Sequence, residues 1–237
     1  MAITKIQSES LNLADTYDFT GTVTGAGEAN KPIFAAKLSA AQGTAAYTVS
    51  KLNFSFSIIK NPEHLNRFNK IIIPGVGSYD IAMANLKEQN WIRPIKNYVE
   101  NSKNCLLGIC LGMQLLSSIG LENNKETKGL DIIEGKVDNL LNQGCKLQLP
   151  HTGWNEVNFL ENSEPLTHGI PNKSDFYFVH NYGFFKANKE NIIGQTDYGC
   201  KFASMIRKKN IFGVQFHPEK SSFQGKKILD NFLKINA

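Results

Sequence analysis

The sequence predicts an α/β fold, an open and mostly parallel sheet with helices on both faces. Three observations carry this reading. Short, wholly apolar runs recur, as at Ile71-Ile72-Ile73 and over residues 105–109, the pattern of strands buried on both sides. Amphipathic helical stretches stand between these runs. Proline and glycine close them, first at Pro74-Gly75, as turn residues should.

In chain order, Phe54, Phe56 and Ile58 alternate as a strand does. Lys70 opens the apolar run that Pro74-Gly75 ends. Residues 81–98 carry helical periodicity, with a break expected at Pro94, whose ring cannot sit inside a helix. Residues 105–109 form the next buried strand, and a helix is expected over 113–119. Further strands are expected over 157–160, 176–179 and 211–216. Residues 225–235 close the chain as an amphipathic helix, with Ile228, Leu229, Phe232 and Leu233 on one face. No internal repeat is evident.

The composition fits that class. Of 237 residues, 41% are hydrophobic and 20% charged, an ordinary globular balance in a chain long enough to bury a full core. No apolar run approaches the ~20 residues of a membrane span. Met1-Ala2-Ile3-Thr4-Lys5 lacks the apolar core of a secretory signal. Four cysteines in a chain this long do not make a disulfide framework, so a reducing, cytoplasmic setting is expected. The net charge of +5 is dispersed, with only short clusters such as Arg207-Lys208-Lys209. No basic stripe with interleaved aromatics points to nucleic acid.

The first fifty residues differ from the rest. They hold ten alanines against five in the remaining 187, and two asparagines against 23. Ala, Thr, Gly and Ser make up half of them. The chain therefore divides into an atypical segment, 1–50, and an α/β domain, 51–237.

The chemistry centres on Gly108-Ile109-Cys110-Leu111-Gly112. A glycine-flanked nucleophile between a buried strand and a helix is the setting of a nucleophile elbow. The sharp turn holds the nucleophile in a strained conformation, and side chains on its flanks would clash. A helix start favours the thiolate and offers backbone N–H groups, that of Leu111 first, to a developing oxyanion. Cys105, Cys145 and Cys200 lack such a frame. A thiol needs a base, and the base an orienting group. His217 ends the strand of Gly213-Val214-Gln215-Phe216-His217-Pro218-Glu219, and Glu219 lies two residues on, past a proline that fixes the turn. His64 and His168 lie in polar loops. His180 follows an apolar strand and is either a site residue or a satisfied core histidine. His151 lies in a loop whose Trp154 is a candidate interface anchor. No Cys or His spacing suggests zinc, and Pro74-Gly75-Val76-Gly77-Ser78 lacks the lysine and spacing of a phosphate loop.

From about residue 51 onward the chain closely resembles the class I, triad-type glutamine amidotransferases, whose fold is flavodoxin-like. Among them it is most similar to the glutaminase subunits of imidazole glycerol phosphate synthases. The motifs are Pro74-Gly75-Val76-Gly77-Ser78, Gly108-Ile109-Cys110-Leu111-Gly112-Met113-Gln114, His151-Thr152-Gly153-Trp154-Asn155, Phe178-Val179-His180-Asn181-Tyr182 and Gln215-Phe216-His217-Pro218-Glu219-Lys220-Ser221. The resemblance implies that Cys110 attacks the side-chain amide of glutamine, with His217 as base and Glu219 orienting it. It implies oxyanion donors at Leu111 and in the Val76 loop, and glutamine binding by Gln114 and Glu122 with Gly77, His180 and Tyr182 nearby. It implies a heterodimer with a (β/α)8-barrel cyclase that consumes the ammonia in histidine biosynthesis, with Trp154, Tyr177 and Lys220 facing that partner. No cofactor or metal is implied.

Two departures from the family stand out. Asn181 stands where the family usually has a small hydroxyl residue, which implies either an altered backbone contact to glutamine or a divergent branch, some of which serve surface-sugar amidation. The N-terminal segment lacks the Asp-Tyr-Gly-x-Gly-Asn type loop of the family, which raises the alternative of a non-catalytic homologue. A γ-glutamyl hydrolase is a third reading, opposed by the Gly-Trp-Asn and Glu-Lys-Ser segments. For the missing first strand and helix, Pro32-Ile33-Phe34-Ala35-Ala36 is the candidate strand, and residues 38–52 the candidate helix.

Overall fold

The computed structural model describes residues 33–37, 55–122, 125–161 and 163–235. Strands β1 (Ile33–Lys37), β2 (Ser55–Ile59) and β3 (Lys70–Gly75) lead to helices α1 (Tyr79–Glu88) and α2 (Ile92–Glu100). Strand β4 (Cys105–Cys110) runs into a single helical turn, α3 (Leu111–Gln114). Strands β5 (Ile119–Glu122), β6 (Lys125–Lys128), β7 (Lys136–Asn139), β8 (His151–Phe159), β9 (Ser174–His180), β10 (Tyr182–Phe185), β11 (Ile192–Asp197), β12 (Lys201–Lys208) and β13 (Ile211–Val214) follow, and α4 (Ser222–Lys234) closes the chain.

The sheet order is β2-β1-β3-β4-β13-β12-β10-β7-β5-β6, with β11 bridging β12 to β8 and β9 pairing with β8. Its centre, β3-β4-β13, is parallel, as are β5 and β7. Antiparallel strands extend the sheet on both sides of that centre, so the whole is a mixed sheet around a parallel core. The centre is where the apolar runs lie, and every residue of β4 is buried. Its period of two feeds two cores. Leu106 packs in one with Met83, Ile95 and Tyr98 of α1 and α2. Cys105, Leu107 and Ile109 pack in the other with Ile228 and Phe232 of α4, each large side chain stabilising by about 1.5–3 kcal/mol. Among the described residues no helix is long and apolar enough to cross a membrane.

Two helix boundaries differ from expectation. The break in the first helical stretch falls at Asn90, in the left-handed region at φ 60°. Pro94 sits in the first turn of α2, where no intrahelical N–H is needed. The helix expected over 113–119 stops after one turn. The N–H groups of Ser118 and Ile119 donate to the Gly135 carbonyl instead of back along the helix, and the Leu115 carbonyl accepts from Leu130. The turn releases the chain into β5.

The candidate first strand is present as β1. It lies between β2 and β3, antiparallel to both, with Phe34 opposite Ile72 and Ala35 opposite Ile71. It thus borders the strand that ends in Pro74-Gly75 and runs opposite to it. The candidate helix over 38–52 falls outside the described residues.

Candidate active site

Cys110 ends β4 at φ 53° and ψ −111°, a conformation that costs a non-glycine residue of order 1–3 kcal/mol. The flanking glycines make it possible. A Cβ on Gly108 would lie 2.6 Å from the Gly112 carbonyl oxygen, and one on Gly112 only 1.7 Å from the Ile73 carbonyl oxygen. The elbow is therefore pressed against β3. In the parallel register Gly75 stands opposite Cys110, so the Val76-Gly77 loop leaves β3 beside the thiol. Val76 is exposed and Gly77 has φ 110°. Leu111, first residue of α3, carries an N–H that the helix itself cannot satisfy. Because α3 is one turn long, the anion-favouring groups here are local N–H donors rather than a long helix dipole.

His217 follows β13 on the neighbouring strand and is buried. Its Nδ1 donates to Glu219 Oε1 at 2.7 Å. Its Nε2 is buried with no hydrogen-bond partner among the described residues, and Cys110 is the neighbour that acts on the ring from that side. Burial pulls the imidazole pKa down, but Cys110 and Glu219 outweigh it and push the value up to about 9. Burial pushes the Glu219 carboxyl up, and the His217 contact overrides that, leaving it below the usual range.

The backbone of His217 is pinned on both sides. Its N–H donates to the Tyr177 carbonyl at 2.9 Å. Its carbonyl accepts from Ser221 Oγ at 2.6 Å, and the same Oγ accepts from the Tyr177 N–H at 2.9 Å. Ser221 is fully buried. It closes the Gln215–Ser221 motif, where nothing in the residue pattern distinguishes its role.

A second constellation lies behind Cys110. Gln114 is buried, and its Nε2 donates to the Tyr182 carbonyl at 2.9 Å and to Gln215 Oε1 at 3.0 Å. Gln215 Nε2 in turn lies 3.7 Å from Cys110 Sγ. The Tyr182 carbonyl also accepts from His180 Nδ1 at 2.8 Å. That fixes His180 Nε2 as the acceptor for His151 Nδ1 at 2.9 Å, and His151 Nε2 as the acceptor for Asn155 Nδ2 at 3.2 Å. Burial pulls His180 down to about 3, with His151 adding to the effect, and burial pulls His151 down to about 4. Both rings are neutral near pH 7. His180 is thus a satisfied buried histidine that also holds the Tyr182 carbonyl, while His151 lies in β8 rather than in a loop.

Glu122 stands at the end of β5. Its Oε2 accepts from Ser78 Oγ at 2.9 Å and from the Tyr79 N–H at 2.5 Å, which ties the start of α1 and the loop after Gly77 to β5. On the outer surface, Trp154 is 53% exposed. It stands opposite Tyr177 in the β8–β9 register, with ring centroids 6.1 Å apart. Lys220 Nζ lies 5.8 Å from the Tyr177 ring centroid. The three side chains expected at an interface therefore form one patch, and Tyr177 links it to the His217 backbone. Of the remaining thiols, Cys105 is buried and its pKa raised by that burial. Cys145 donates to the Tyr198 carbonyl and Cys200 to the Leu140 carbonyl.

The family model for Glutamine amidotransferase class-I matches residues 28–235. "Imidazole glycerol phosphate synthase subunit HisH 1" of Campylobacter jejuni is 44% identical over 187 residues, 79% of this chain and 90% of the relative. "Imidazole glycerol phosphate synthase subunit HisH" of Pelagibacter ubique is 39% identical over 188 residues, 79% of this chain and 89% of the relative. A solved structure described as a glutamine amidotransferase superposes with a TM-score of 0.56 at 16% identity, covering 73% of this chain and 84% of that one, which supports the fold. A strained cysteine, a buried histidine paired with a half-exposed glutamate and relatives matched over nine-tenths of their length converge on one conclusion: the chain belongs to the class-I glutamine amidotransferases.

Proposed function

We propose that the chain is the glutaminase subunit of an imidazole glycerol phosphate synthase. It hydrolyses glutamine to glutamate and ammonia and delivers the ammonia to a (β/α)8-barrel cyclase subunit in the cytoplasm, for histidine biosynthesis. One observation carries the reading: Cys110, strained at φ 53°, adjoins a histidine whose Nδ1 is occupied by Glu219.

In this mechanism His217 Nε2 takes the thiol proton, and the sulfur attacks the side-chain amide carbon of glutamine. A C–S bond forms and the carbonyl becomes an oxyanion. The N–H groups of Leu111 and Val76 are the donors that hold it. As the carbonyl re-forms, the C–N bond breaks and His217 gives its proton to the leaving ammonia. Water then attacks the γ-glutamyl thioester, with His217 as base, and the sulfur leaves as glutamate forms. Glu219 keeps the imidazole oriented and favours its protonated state through both steps.

Glutamine binding falls to Gln114, Glu122, Gly77, His180 and Tyr182 in distinct ways. Gln114 has spent its Nε2 on the protein, so its Oε1 is the atom left to accept from the substrate ammonium. The Glu122 carboxylate supplies the charge for that ammonium. Gly77 shapes the loop, and His180 and the Tyr182 carbonyl fix Gln114. Trp154, Tyr177 and Lys220 form the face for the cyclase. The test is ammonia release from glutamine by the purified chain, with and without a cyclase and its nucleotide ligand, using Cys110→Ala as the blank. Cys110-dependent release that rises with the cyclase is expected. Release that is insensitive to the cyclase, or that persists in Cys110→Ala, contradicts the proposal.

A further inference from the structure

We infer that Gln215 is a further catalytic residue, an amide donor aimed at the Cys110 sulfur by a chain of hydrogen bonds that starts at the Tyr182 carbonyl. The inference rests on Cys110 being the nucleophile, and it concerns how that sulfur is held and stabilised.

The argument is one of direction. An amide side chain can point either its oxygen or its nitrogen at a neighbour, and only its hydrogen-bond partners decide which. A backbone carbonyl has no such freedom and is always an acceptor. The Tyr182 carbonyl lies 2.9 Å from the Gln114 amide, so Gln114 must present its nitrogen. The same nitrogen lies 3.0 Å from Gln215, so Gln215 must present its oxygen there. Among the described residues the Gln215 nitrogen then has one partner, Cys110 Sγ at 3.7 Å. Reversing either amide would set two donors or two acceptors against each other. The neutral His180 occupies a second site on the Tyr182 carbonyl at 2.8 Å, which keeps that carbonyl fixed.

A polar side chain with no solvent exposure is costly unless its groups are paired. Gln215 is paired through Gln114 on one side, and through the sulfur on the other. N–H donors are strongest toward an ionised acceptor, so this contact gains most when Cys110 is a thiolate. The sulfur is then flanked by two groups on the β13 side, the His217 imidazole and the Gln215 amide. Glu219 stands behind His217, and His180 lies beyond Tyr182. These are the titratable groups that bear on Cys110 from the elements packed against it.

The test measures the thiolate directly. Alkylation of Cys110 by iodoacetamide is followed across pH in the full chain, with peptide mass mapping to separate Cys110 from Cys105, Cys145 and Cys200. Gln215→Met keeps the volume and removes the donor without adding charge. The alkylation midpoint should rise by about one pH unit, with about a tenfold fall in kcat/KM, the equivalence of one unit to a factor of ten. Gln114→Met leaves Gln215 in place but removes the group that aims it, and its midpoint should move the same way. Urea unfolding shows that each variant is folded, and Gln114→Met serves alone should Gln215→Met not fold. An unchanged Cys110 midpoint in a folded variant overturns the inference. Because the midpoint is read without glutamine, a chain devoid of glutaminase activity would defeat the proposed function while leaving this result interpretable.

Discussion

Ser221→Ala isolates the strut beneath the histidine. Ser221 Oγ donates to the His217 carbonyl and accepts from the Tyr177 N–H, at 2.6 and 2.9 Å, inside a fully buried site. The carbonyl loses one bond but keeps the Lys220 N–H at 3.0 Å, so that side costs about 1 kcal/mol. The Tyr177 N–H loses its partner, at a cost of about 1–3 kcal/mol. Together these come to about 2–4 kcal/mol, which urea unfolding reads as a lower midpoint at unchanged slope. The imidazole also loses an anchor. Displacements well under an ångström matter for proton transfer, so kcat should fall between about tenfold and a hundredfold while KM changes little. Ammonia release from glutamine measures both constants. A variant within about 0.5 kcal/mol of the parent, the range of an inconsequential surface change, with full kcat would refute the reasoning.

Four further outcomes are expected. Gly112→Ala would place a Cβ 1.7 Å from the Ile73 carbonyl oxygen, so it should lose about 3 kcal/mol or more, read as a lowered melting temperature or insoluble protein. The glutaminase rate should fall on the alkaline side near pH 9, where His217 gives up the proton needed by the leaving ammonia. Glu219→Gln should move that limb to lower pH, because Glu219 is one of the two groups that raise the value. The stabilisation from protonated His217 is complete below the ordinary imidazole value of 6.5 and disappears as pH rises through about 9, which chemical unfolding at several pH values would follow. Trp154→Ala, at a half-exposed position, should leave stability within about 0.5 kcal/mol while weakening the response to the cyclase.

The parallel centre of the sheet was legible because burial on both faces forces unbroken apolar runs. The run at Ile71–Ile73 and that of β4 lie in the core, as their composition requires. The strands that flank it were not all legible. Lys125–Lys128 and Lys136–Asn139 are short, polar and partly exposed, and their place is set by pairing with distant strands rather than by their own pattern. The same limit explains the helix that ended after Gln114: the N–H groups of Ser118 and Ile119 turn to the Gly135 carbonyl, which no local periodicity reports. At the site, Gly108 and Gly112 were readable as steric requirements, and the cavityless contacts around them give the reason. Gln215 and Ser221 lay inside the same motif as His217, yet their tasks depend on partners 105 and 44 positions away in the chain. The family match begins at residue 28, ahead of β1, which composition alone had set apart with the rest of the first fifty residues.

The most direct test of the central claim is to quench the purified chain with acid during turnover of glutamine and map the trapped adduct by mass spectrometry. A γ-glutamyl group on Cys110, absent from Cys110→Ala and depleted in His217→Ala, is the predicted result. Steady release of ammonia with no adduct on Cys110, or an adduct on another cysteine, would contradict it.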